Sequence, residues 1–155
     1  MEKLNCSVYE VVDSIESLLA DGAVLPLYVS GSSMNPFLIS RRDIVYLSAV
    51  KESDFKKGST VLFKRNDGSL VLHRINKILD ESRVQVNGDS QNWFETVSIN
   101  QIVAKVTEIE RKGKKRKADS FYWSCINFFW KVLFPLRSLI MRIWFKARRI
   151  KNKAE

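Results

Sequence analysis

A chain of 155 residues, 45% of them hydrophobic, is long enough for one domain plus an appendage and too apolar for global disorder. Residues 1–110 hold 12 Lys/Arg against 15 Asp/Glu, whereas residues 111–155 hold 14 against 2, so the net charge of +9 comes from a basic last third on a slightly acidic body. That split argues against a nucleic-acid-binding body. Two distant cysteines, Cys6 and Cys125, and one histidine, His73, give neither a disulfide framework nor a zinc-ligand set, and no cofactor or metal is expected.

The chain opens Met1-Glu2-Lys3-Leu4-Asn5 with no long apolar core behind it, unlike a signal peptide. Residues 7–20 place Val8, Val11, Val12, Ile15, Leu18 and Leu19 at helical spacing, with Asp and Glu on the other face and Gly22 as a stop. An amphipathic helix is predicted there. From Val24 to Ile109 the period shortens. Six β-branched or aromatic runs follow: "VLPLYV", "DIVYLSAV", "STVLFKR", "SLVLHRINKI", "RVQVNGD" and "QIVAKVTEI". Asn66-Asp67-Gly68 joins two of them into a predicted β-hairpin over 60–77. Together the runs predict a mainly β, mostly antiparallel compact domain or barrel.

Six of the seven residues in "RKGKKRK", 111–117, are basic, and the run reads as a linker or an electrostatic contact segment. Beyond it, Trp123, Trp130 and Trp144 punctuate a segment whose longest uncharged stretch, 120–130, is too short for a spanning helix. Arg142, Lys146 and Arg149 fall on one helical face, and Leu136, Ile140, Ile143 and Trp144 toward another. This pattern fits a helix lying in a lipid headgroup plane. It also fits a helical pair packed on the β-domain or on a partner. The expected divisions are a 1–22 helix, a 23–110 β-rich domain, a 111–119 basic linker and a 120–155 aromatic and basic helical tail.

Chemistry is concentrated in three places. "VSGSSMNPFL", 29–38, is a turn-rich stretch in which a serine needs a positioned base to act as a nucleophile. His73, in "LVLHRI", is the one histidine able to serve, or else a structural histidine at the core edge. Asp89, in "VQVNGDSQN", is either an orienting carboxylate for that base or an ordinary turn aspartate.

Taken in order, "SSMNP", "VLHRI" and "NGDSQN" resemble the signal peptidase I family. The similarity is to its Ser-His branch, found in archaeal and endoplasmic-reticulum enzymes and related to the SOS-repressor autoproteases, over about residues 24–110. The resemblance implies a β-domain of signal peptidase type, with Ser33 as nucleophile, His73 as general base and Asp89 as the acid that holds the imidazole. Glu95 is the nearest acid to a second acidic position in that branch. The Ser33 backbone N–H would be one oxyanion donor and the Ser32 hydroxyl a further candidate, because Gly31 stands where many signal peptidases carry a serine. The implied activity is membrane-associated serine endopeptidase cleavage of a leader or exported precursor through an acyl-enzyme. The implied partners are a peptide or preprotein substrate and, through the tail, a lipid surface. The family's N-terminal membrane anchor is replaced here by the amphipathic helix. The alternative is a non-catalytic relative that binds an extended peptide along a strand edge. Nucleic-acid binding through 111–117 ranks lower, for want of a recognition fold. Autoproteolysis of the repressor type ranks lower still, since position 73 is not lysine.

Overall fold

The structure, a computed structural model, describes residues 8–154, with side chains from 12 to 150. Cys6 lies outside the described residues. The predicted N-terminal helix is α1, Val8–Ala20. It buries Val12 and Leu19. Gly22, at φ 83°, ends it in the left-handed conformation, and its N–H reaches the Leu19 carbonyl.

Eight strands make one antiparallel sheet. They are β1 (Leu25–Tyr28), β2 (Asp43–Ser48), β3 (Thr60–Lys64), β4 (Leu70–Ile78), β5 (Arg83–Asn87), β6 (Glu95–Ser98), β7 (Ile102–Arg111) and β8 (Lys114–Lys117). The order is β1-β2-β7-β3-β4-β5-β6, with β8 on the free stretch of β7 beyond β3. The two ends, β1 and β6, stay apart, so the sheet is not a closed barrel among the described residues. All six predicted runs are strands. The predicted hairpin is β3–β4, turning at Gly68 with φ 86°. The sheet buries both faces. Leu47, Leu62, Ala104 and Val106 join Leu19, Met34, Leu38 and Trp123 in one core. Val61, Phe63, Ile75, Val84, Val86 and Val97 form the other.

The basic run, read as a linker or an electrostatic contact segment, is not a linker: it is the turn of a hairpin and its second strand, set against acidic residues. Lys112 (φ 52°) and Gly113 (φ 74°) both adopt positive φ, as a two-residue primed turn requires. Lys115 stands opposite Glu110, and Lys117 opposite Glu108. Opposite charges facing each other across strands let a basic tetrapeptide complete a sheet.

The tail forms α2 (Phe121–Val132), a short turn at 134–136 and α3 (Arg137–Ala154). One side packs on the β-domain and buries Trp123, Trp130, Arg137 and Met141. The Trp130 indole N–H donates to the Asp89 carbonyl at 2.8 Å, and its ring meets Phe37 edge-on at 5.0 Å. The other side leaves Phe121, Phe128, Phe129, Val132, Leu139 and Ile143 exposed. The tail thus packs as a helical pair and still carries an apolar outer face. Among the described residues, no helix is long and apolar enough to cross a membrane.

Trp130→Phe keeps most of the packing and loses the indole hydrogen bond, an expected cost of about 1 kcal/mol. Trp130→Ala is expected to cost about 3–5 kcal/mol. Urea denaturation followed by circular dichroism measures both; unchanged midpoints would show that the tail adds nothing to the stability of the β-domain.

Candidate active site

The serine loop leaves β1 and returns to β2 over residues 29–42, and its base is tied by a buried acid. Asp43, at the start of β2, is 0% exposed. Its carboxylate accepts from the Ile39 N–H at 2.9 Å and from the guanidinium groups of Arg42 and Arg111. Burial alone would push this carboxyl up, but the hydrogen bonds from Arg42, the Ile39 N–H and Arg111 together hold it below the usual range. Met34 and Leu38 anchor the loop from inside the core.

Within this loop Gly31 adopts φ 76°, with nothing within 4 Å of where a Cβ would stand. The position favours glycine for its backbone rather than for space, which is why a serine does not suit it. Ser32 is exposed, and its carbonyl accepts from the Asn35 N–H at 3.1 Å. Ser33 is half-buried. Its carbonyl accepts from the Ser90 N–H at 2.8 Å and from the Ser90 hydroxyl at 3.0 Å. A Cβ on Gly88 would come within 2.7 Å of that carbonyl oxygen. The Gly-Asp-Ser turn after β5 therefore docks directly on the serine, and only glycine at 88 permits the approach.

The two acids sort differently from expectation. The resemblance makes Asp89 the acid that holds the imidazole. Its carboxylate instead takes the Arg74 fork, with Nε at 3.1 Å and Nη2 at 2.8 Å. The reason is strand alternation: His73 and Arg74 are neighbours on β4 and point to opposite faces. Arg74 pairs in register with Asn87, just before Asp89, and a guanidinium meets a carboxylate two-pronged. His73 faces the second core, beside Phe63 at 5.7 Å between ring centres. There it meets Glu95, whose Oε1 lies 3.3 Å from Nδ1. Arg65 grips the same Glu95 carboxylate with Nε at 2.7 Å and with Nη2. Sequence reasoning missed both arginines, although Arg74 stands inside the "LHR" motif that drew attention to His73.

His73 is fully buried. The contact with Glu95 falls outside hydrogen-bond geometry, and neither ring nitrogen has a hydrogen-bond partner among the described residues. Ser33 and His73 are accordingly not hydrogen-bonded to each other. Burial pushes His73 down to about 4; the charge of Glu95 pulls upward, Arg65 adds to the fall, and Asp89 pulls upward as well. At neutral pH the ring is uncharged and one of its nitrogens is an acceptor.

Among the described residues no cluster of His, Cys, Asp or Glu could hold a metal ion. Cys125 is a half-buried free thiol on α2. No protein-family model, curated protein or solved structure matches the chain.

The His73 shift carries a stability consequence. The folded value of about 4 lies below the ordinary 6.5, so the proton must be forced onto a buried ring as acid is added. Its contribution is complete above pH 6.5 and is lost as pH falls toward about 4. Denaturation midpoints should fall across that window in wild type and fall less in His73→Gln. Parallel slopes in the two proteins would contradict the shift.

Proposed function

We propose that the chain is a serine endopeptidase of signal peptidase type, with Ser33 as nucleophile, His73 as base and Glu95, rather than Asp89, as the carboxylate that orients the base. The observation that carries this reading is the setting of the one histidine. It is buried and neutral, and an arginine-held carboxylate lies 3.3 Å from Nδ1. Nδ1 facing a carboxylate leaves Nε2 as the acceptor, the arrangement a general base needs. The Ser33 loop is held by backbone bonds to the turn after β5. Because Arg74 pairs with Asn87, the chain leaves β5 level with His73.

In this mechanism Ser33 Oγ attacks a peptide carbonyl carbon and His73 Nε2 takes the hydroxyl proton. The tetrahedral adduct collapses, and the proton passes to the departing amine. Water then enters with His73 again as base and releases the acid and Ser33. The Ser33 backbone N–H, which has no acceptor among the described residues, supplies an oxyanion donor. Ser32 is the further candidate. Asp89 acts through Arg74 to fix the turn against the serine loop. The exposed aromatic face of α2 and α3, with Arg142, Lys146 and Arg149 beside it, supports docking on an anionic lipid surface. The substrate would then be a leader or exported precursor held near that surface.

One observation favours the second reading, a non-catalytic peptide binder. His73 is fully buried and is not hydrogen-bonded to Ser33. In that reading β1, an edge strand with three exposed residues next to the serine loop, would pair with an extended peptide.

Purified wild type, Ser33→Ala, His73→Ala and Glu95→Gln, each incubated with lipid and a panel of leader peptides, separate the readings by mass spectrometry. Cleavage should vanish in the first two variants and fall by about 100-fold or more in Glu95→Gln. Cleavage retained in Ser33→Ala removes the peptidase assignment; peptide binding without turnover in every protein supports the binder.

A further inference from the structure

A cavity of about 130 Å³ lies between the sheet and the C-terminal helices. Its charged lining is unbalanced: Lys57, Arg74, Lys131 and Arg137 face the single carboxylate of Asp89. Two of these cations are spent on structure. Arg74 holds Asp89. Arg137 donates through Nη1 to the Asn87 side chain and to the Gln91 carbonyl. Arg137 is only 3% exposed, and its Nε is buried with no hydrogen-bond partner among the described residues. The ammonium groups of Lys57 and Lys131 form no hydrogen bond or ion pair among the described residues. Burial first, and then repulsion from Lys57 and Arg74, pulls Lys131 down to about 8. Lys57 and Lys131 thus add positive charge that neither the proposed peptidase chemistry nor the packing uses.

We propose that this cavity binds a phosphate-class oxyanion, clamped between the Lys57 and Lys131 ammonium groups in the field of Arg74 and Arg137. Two ammonium groups without partners match an anion of about two charges. The cavity admits a tetrahedral oxyanion. Trp130 and Phe134 give it an aromatic wall, and Phe128, Phe129 and Val132 of α2 are exposed beside it. The phosphate can therefore come from bulk solution or from an anionic lipid headgroup at that apolar face. Neither lysine has a role in the proposed peptidase chemistry, so phosphate binding and peptide cleavage are tested separately, although the cavity shares Arg74 and Asp89 with the turn that supports the Ser33 loop.

The test titrates the full chain with inorganic phosphate by calorimetry, beside Lys57→Met and Lys131→Met. Saturable one-site binding is expected, weakened about tenfold or more in each variant. The variants should melt no lower than wild type, because each removes a crowded cation. Phosphate should also raise the Lys131 titration midpoint above about 8 in carbon-detected NMR. The second arm uses vesicles of phosphatidylcholine with and without phosphatidic acid. Binding to the acidic vesicles that inorganic phosphate displaces, and that Lys131→Met loses, identifies a headgroup. Phosphate binding without such displacement identifies the free ion. Absence of saturable phosphate binding, or equal binding by wild type and both lysine variants, overturns the proposal.

Discussion

The turn from Asn87 to Gln91 is where the parts of this molecule meet. The Ser33 carbonyl bonds to Ser90, Arg74 clasps Asp89, the Trp130 indole caps the Asp89 carbonyl, and Arg137 binds Asn87 and Gln91. One five-residue segment thereby fixes the serine loop, the middle of β4 and both C-terminal helices. Gly88 is the condition for it, because a side chain there would collide with the Ser33 carbonyl at 2.7 Å. The helical tail is part of the domain's architecture through this turn, while its aromatic outer face remains open.

The same constraint sorts the charged groups. Alternation along β4 sends His73 and Arg74 to opposite faces of the sheet, so each takes its own carboxylate: Glu95 for the histidine, Asp89 for the arginine. Each acid is thus gripped by one arginine, Arg65 on Glu95 and Arg74 on Asp89, so the buried Asp89 is not an uncompensated charge. A neutral His73 is the outcome of burial opposed by Glu95. In the proposed chemistry that neutrality gives the base its acceptor nitrogen at the pH of the cell, at the cost of a low intrinsic basicity.

Much of this was legible in the residues. Helical spacing gave α1, and alternation gave six of the eight strands. Asn66-Asp67-Gly68 marked the β3–β4 turn. The strands missed were β6, only four residues long and directly after an irregular turn, and β8, a run of four basic residues. No local preference makes Lys-Lys-Arg-Lys a strand; it is one because Glu108 and Glu110 wait across the sheet. Glu95 is legible as a candidate second acid; that it, rather than Asp89, lies beside His73 is not. Sequence spacing says which acids lie near a histidine in the chain, not which face of the sheet each reaches. For the tail, amphipathicity allowed a lipid face or a protein face, and the helices present one of each.

The direct test of the account is the covalent intermediate itself. Wild type mixed with a cleavable leader peptide and quenched rapidly in acid should show, by intact-protein mass spectrometry and fragmentation, an acyl group of substrate mass on Ser33. That adduct should be absent in Ser33→Ala and much reduced in Glu95→Gln. Turnover with no adduct on Ser33 under conditions that slow deacylation, or an adduct on another residue, would contradict it.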